Sequence, residues 1–173
     1  MNKKIRFLAH AGIISALYIT LTLISAAFGL SSGVIQVRIS EALCILPIFT
    51  FAAIPGVTVG CLLSNIICGG TVFDIVFGTI ATFIGAVLAP LFKKKPYLSS
   101  IPTVISNAVI IPVVLILSGL GEWNMFPYFS LTVGIGEVIS CSLFGSALIL
   151  YLKKRPSVSD AIFGDDVTKP KKR

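Results

Sequence analysis

Long apolar runs, interrupted at intervals by short polar clusters, dominate the pattern of this chain. The first run, residues 5–29, ends in the turn-rich Gly-Leu-Ser-Ser-Gly and predicts one helix. A second helix is expected over 39–52; it is short for a bilayer crossing and holds Pro47. Behind it, Pro55-Gly56 predicts a tight turn. A third helix is expected over 57–68, stopping at Gly69-Gly70, and a fourth over 74–92, stopping at Lys93-Lys94-Lys95-Pro96. The fifth covers 99–118, with Pro112 expected to kink it, and the sixth covers 127–152. Uncharged apolar runs of about 18 residues or more are the mark of transmembrane helices. The pattern therefore predicts an all-α, integral membrane bundle of six transmembrane helices. Helices 2 and 3 are the weak point, each expected to be tilted, short or partly re-entrant.

Composition agrees. The 173 residues are 55% hydrophobic and 12% charged, against about 25% charged in soluble domains, and the mean hydropathy is +0.99. A cleaved signal peptide has an apolar core of about 7–15 residues. The first run here is far longer, so it is expected to stay as a membrane helix. The net charge of +7 is concentrated in clusters. Lys3, Lys4 and Arg6 precede helix 1, Lys93 to Lys95 lie between helices 4 and 5, and Lys153 to Arg155 follow helix 6. Six crossings put all three on one face, so the positive-inside rule makes both termini cytoplasmic. The basic excess reports orientation and gives no reason to invoke nucleic acid. Residues 1–153 form the expected membrane domain, and 154–173 a cytoplasmic, largely disordered tail whose final Lys-Pro-Lys-Lys-Arg can touch anionic head groups. Cys44, Cys61, Cys68 and Cys141 fall in apolar segments without paired zinc-ligand spacing, so no metal is expected.

Depth can be read at about 1.5 Å per helical residue. Gln36, Arg38 and Glu41 lie at the outer end of helix 2, where Arg38 is the basic residue that this topology leaves outside the cytoplasm. Asn65 lies about one turn below the outer end of helix 3, Asp74 opens helix 4, and Asn107 is near the middle of helix 5. Glu137 is near mid-membrane on helix 6, and Trp123, Asn124, Phe126 and Tyr128 occupy the outer loop before it. Apart from His10 and hydroxyls, the inner half offers nothing comparable. A pore or proton relay needs polar groups along its full length. Polar groups confined to one half predict a cup that opens outward over an apolar floor.

Simpler roles exist for several of these residues. Arg38 and Glu41 can brace each other at the rim, Asp74 can cap its helix, and Asn65 and Asn107 can bond neighbouring helices. Trp123 and Tyr128 can be interfacial aromatics. Glu137 is hardest to dismiss, because a carboxylate at that depth needs a partner. Carboxylates and carboxamides pair with N–H donors of a planar heterocycle, Arg38 or Gln36 donates to a carbonyl oxygen, and a second carboxylate holds a cationic substituent. An aminated purine-like base suits this set. Two stripes of small residues suit close helix contact: Gly12 and Ala16 with Ala9 and Thr20 on helix 1, and Gly78, Thr82, Gly85 and Ala89 on helix 4. Either can serve bundle packing or docking of another membrane subunit.

The segments QVRISEALCILPIFTFAAIPGVTVGCLLSN, GGTVFDIVFGTIATFIGA and VGIGE resemble the QueT-type family of queuosine-precursor transporters, over about residues 5–153. The resemblance implies a substrate-binding S component of an energy-coupling factor (ECF) transporter in a bacterial cell membrane. Such a protein captures a 7-deazaguanine, queuine or its 7-aminomethyl precursor, at its outer face. It further implies docking through helix 1 onto a shared transmembrane coupling subunit driven by two cytoplasmic ATPases, and toppling in the membrane to deliver its load. Gly12 and Ala16 match the Ala-x-x-x-Ala docking pattern of such proteins, with Gly in place of the first Ala. This chain has no phosphate-binding Gly-rich loop, so ATP is used by the partners and the chain itself needs no cofactor. The competing expectation is a self-sufficient proton-coupled carrier acting as a homodimer, with Glu137 as the proton site. An intramembrane enzyme is disfavoured, since His10 lies at the wrong face for the acidic cluster.

Overall fold

The computed structural model describes residues 2–30 and 36–155, and all regular structure among them is helical. Helix α1 spans Lys3–Ala27, followed by a 3₁₀ segment at Ile39–Ile48 and α2 at Ala53–Ile67. A π turn at Asp74–Gly78 runs straight into α3, Thr79–Leu88, and a 3₁₀ turn at Ala89–Phe92. Helix α4 spans Ile101–Leu117. Helix α5, Phe126–Glu137, continues through a π segment, Val138–Phe144, into α6, Gly145–Lys154. Four continuous helices are long and apolar enough to cross a membrane: Lys3–Ala27, Asp74–Phe92, Pro96–Leu117 and Trp123–Lys154. Ile39–Ile48 and Ala53–Ile67 are apolar but shorter.

Two predicted elements come out differently. The helix expected over 39–52 is a 3₁₀ segment ending at Ile48. Ser40 to Ile48 are all buried, so no exposed face asks for a 3.6-residue period. The 3₁₀ rise of about 2 Å per residue carries the segment further into the bundle than an α-helix of equal length. The turn expected at Pro55-Gly56 is instead the first turn of α2. A proline there gives up an amide that the first helical turn leaves unpaired in any case.

Gly56 and Gly60 explain why α2 stays helical here. A Cβ on Gly56 would lie 2.9 Å from the Ala11 carbonyl oxygen, and one on Gly60 would lie 2.7 Å from the Tyr18 Cβ. The Gly-x-x-x-Gly spacing therefore seats α2 against α1, the two running in the same direction. Between them in the chain, the 3₁₀ segment runs the opposite way along α1. The Ile39 amide donates to Ser25 Oγ at 3.0 Å, and Thr22 Oγ1 donates to Ser40 Oγ at 2.8 Å. One level deeper, the Tyr18 hydroxyl donates to Glu41 Oε1. Below this polar tier lies the apolar core: Ile14, Leu43, Ile45, Ile48, Val57, Ile149 and Leu152 pack as one cluster.

The remaining surface is apolar, as a lipid environment requires; Leu8, Phe28 and Leu91 are among the large side chains it exposes. The two small-residue stripes separate cleanly. Gly78, Thr82, Gly85 and Ala89 are buried, with Gly85 against Thr103 of α4. Ala9, Gly12, Ala16 and Thr20 face outward, and a methyl group on Gly12 would meet nothing within 4 Å. Lys153 Nζ stands 4.9 Å above the Tyr97 ring, which brings the second and third basic clusters to one end of the bundle. Three helices pointing the other way, α1, α2 and α4, end in Gly29, Gly69 and Gly119 at positive φ, closing left-handed caps. The expected tail lies outside the described residues beyond Arg155.

Candidate ligand pocket

Approaching the 3₁₀ segment, the chain crosses the long helix Trp123–Lys154 in an extended stretch that carries Gln36 and Arg38. Gly136 makes the crossing possible, since a Cβ there would collide with the Gln36 carbonyl oxygen. The Arg38 amide then donates to Ser140 Oγ at 3.0 Å. Ser140 belongs to the π segment, and the second π turn ends at Gly78, also at this level. Both helices that bound the site are thus locally widened into π turns, a feature that recurs at functional sites.

The extended stretch, the 3₁₀ segment, α3, α4 and α5 meet around a polar pocket. Gln36, Arg38, Glu41, Asn107 and Glu137 line it, with Gly78, Thr82, Ile111 and Val133. Its free centre is only about 20 Å³, room for roughly one water molecule. Five of the eight sequence-predicted binding residues meet here. The remaining three take other positions. Asn65 sits behind Arg38, its Oδ1 accepting from Arg38 Nη1 at 3.4 Å and its Nδ2 donating to the Asp74 carbonyl at 3.1 Å. Asp74 forms a capping box with Thr71: its Oδ2 accepts from the Thr71 amide at 3.0 Å and the Thr71 hydroxyl at 2.7 Å, and its own amide donates to Thr71 Oγ1 at 3.2 Å. Trp123 is 63% exposed at the start of the long helix, away from the pocket wall.

Arg38 and Glu41 do not form an ion pair among the described residues, against the mutual brace their spacing suggests. Glu41 accepts from Tyr18 and, through Oε2, from the Cys44 thiol at 3.1 Å. The guanidinium is held from the other side by Asn65 and stands within electrostatic reach of both Glu41 and Glu137. Glu137 differs from Glu41. Asn107 is its hydrogen-bonding neighbour, yet its Oε2 is buried with no partner. The wall therefore offers one guanidinium against two carboxylates, and one carboxylate oxygen remains available. That arrangement can take an N–H donor or a cation together with a carbonyl acceptor. Cys44, Cys61 and Cys141 are buried free thiols, and no group of three or more His, Cys, Asp or Glu among the described residues is placed to hold a metal ion.

Tyr18, Gly78, Thr82, Gly136 and Ser140 also build the site and were not singled out for it in the sequence. The Gly136-Glu137 pair within VGIGE, a glycine beside a membrane-buried acid, was the one available signal for a close crossing.

An apolar, lipid-facing helical bundle around a polar pocket defines a multi-pass integral protein of the cell membrane that is built to handle a small solute. The family described as QueT transporter matches residues 8–154, and the chain belongs to that family. A curated protein from Lactococcus lactis subsp. cremoris (strain MG1363), named queuosine precursor transporter QueT, is 35% identical over 86 residues. That match covers 47% of this chain and 50% of the relative, so the chain spans about half the length of the relative it matches. No solved structure matches.

Proposed function

We propose that this chain is the substrate-binding S component of an ECF-type importer and captures a 7-deazaguanine queuosine precursor in the polar pocket. The unpartnered Glu137 Oε2 carries this reading. Leaving a carboxylate oxygen buried without a donor costs about 1–3 kcal/mol or more, a cost that a bound ligand donor recovers. The faces of a deazaguanine match what surrounds it: ring N–H and amino donors for Glu137 and Asn107, a carbonyl for Arg38 or Gln36. A protonated amine on the 7-substituent matches the excess of carboxylate over guanidinium. The relative's name supports the substrate class. In this reading the chain crosses the membrane six times with the basic end cytoplasmic. The outward stripe of Ala9, Gly12, Ala16 and Thr20 docks on the coupling subunit, and two ATPases supply the power.

Calorimetric titration of the purified chain with queuine, 7-aminomethyl-7-deazaguanine and guanine tests the substrate class. Heat with the deazapurines is the expected result, and none with either of them overturns the reading. Vesicles holding the chain alone are expected to bind without uptake. Uptake by the chain alone that an uncoupler abolishes would replace the ECF reading with a proton-driven carrier.

A further inference from the structure

Directly beside the polar pocket lies a second cavity of about 280 Å³. Leu115 near the end of α4 and Tyr128, Phe129 and Thr132 on the first turns of α5 line it, and it shares Gln36 and Val133 with the polar pocket. Its wall is constructed. Phe129 packs under Gly121, where a Cβ would come within 2.7 Å of the ring, and Tyr128 sits 5.9 Å from Phe129, ring centre to ring centre. The Thr132 hydroxyl is spent on the Phe129 carbonyl at 3.1 Å. The cavity is therefore lined mainly by apolar and aromatic groups.

The two volumes divide the work. The polar centre, about 20 Å³, cannot take a ring, whereas a cavity of about 150 Å³ admits benzene. The geometry points to a composite site. The flat body of a bicyclic heterocycle occupies this apolar sleeve against Phe129, and only its hydrogen-bonding edge passes Gln36 and Val133 to reach Arg38, Asn107 and Glu137. This rests on the deazaguanine reading above and adds to it a stacking site that none of the polar residues provides. It also states what the pocket selects: a planar bicycle with its polar groups along one edge, in preference to a sugar or an amino acid of similar polarity.

Filling the sleeve tests it. Thr132→Phe is expected to weaken queuine and 7-aminomethyl-7-deazaguanine alike by at least about 30-fold, and the milder Phe129→Leu, which keeps the packing but removes the ring face, by about tenfold. Thermal unfolding of each variant without ligand checks that the bundle is intact, and Phe129→Leu remains decisive if Thr132→Phe does not fold. Wild-type affinity for deazapurines in a folded variant overturns the inference, including the case in which the sleeve holds a lipid acyl chain that copurifies with wild type and is lost on filling. Absence of deazapurine binding by the wild type is a different result, and it removes the substrate reading itself.

Discussion

The stretch from Gln36 to Ile48 meets the helix Trp123–Lys154 twice, and the two contacts are built from the same device to opposite ends. Above, Gly136 lets the Gln36 backbone lie against the helix; below, Gly145 receives Ile45, whose Cγ2 would stand 3.0 Å from a Cβ there. At the lower contact apolar side chains pack together around Ile45, Cys141 and Ile149, each at most 1% exposed. At the upper contact the same elements leave a carboxylate oxygen unpaired and a small void. Without a hydrophobic drive between helices in lipid, tight packing must supply stability. The lower contact does so, which allows the upper one to be held in an arrangement that is suboptimal until a ligand arrives.

Replacing Glu137 should break the comparison most sharply. Glu137→Ala removes the acceptor that the ligand needs, with an expected loss in affinity of at least about 100-fold. Oε2 has no protein donor and the Asn107 contact is the hydrogen bond given up, so the melting temperature without ligand should fall only slightly. A large fall in that temperature would show Glu137 to be a structural group.

Ile149→Ala is the reciprocal change. Truncating a side chain that is 1% exposed in the lower cluster should cost about 2–3 kcal/mol of stability. Affinity measured below the melting transition should hold. Should binding fall in step with stability, the two levels are one cooperative unit and the division proposed here is wrong.

Gly136→Ala tests the upper crossing itself. Its methyl group must push Gln36 and Arg38 off the helix, and overpacking of this kind costs about 1–3 kcal/mol. Here the loss should appear as about a tenfold drop in affinity, because the displaced stretch lines the pocket. The same substitution at Gly12, which faces outward, should leave binding of the isolated chain unchanged.

What could be read from the sequence follows from how far each signal depends on distant neighbours. The helices 3–27, 74–92 and 101–117 announce themselves through uninterrupted apolar runs, as does the 32-residue helix Trp123–Lys154. Arg38, Glu41, Asn107 and Glu137 stand out because charge or amide in such runs is expensive wherever it falls. The 3₁₀ winding of Ile39–Ile48 could not be read, because a segment buried on every side carries no periodicity. Pro55-Gly56 was misread for a related reason: the pair signals a turn locally, and only the approach of α1 to Gly56 shows why it is helical instead. Glu41 pairs with Tyr18, 23 residues away on another helix, so spacing to Arg38 was the wrong guide. The apolar cavity beside the pocket has no local signature at all, being made where two helices part.

Asp74 gives the smallest and most discriminating effect. It is acidic, close in sequence to Gly78 of the pocket and joined to Arg38 through Asn65, so position alone would place it in the site. Its side chain, however, is committed to Thr71, and Thr71 Oγ1 in turn lies 3.1 Å from Ser118 Oγ, tying the start of one helix to the end of another. Losing a cap of this kind costs about 1 kcal/mol, which for a chain of this size lowers the melting temperature by about 2–4 °C. Asn65 bonds to the Asp74 main-chain carbonyl, which Asp74→Ala retains, so the guanidinium keeps its support. Asp74→Ala should therefore melt slightly earlier and bind the deazapurine as tightly as the parent chain. The opposite pattern, weakened binding at an unchanged melting temperature, would move Asp74 from the scaffold into the site.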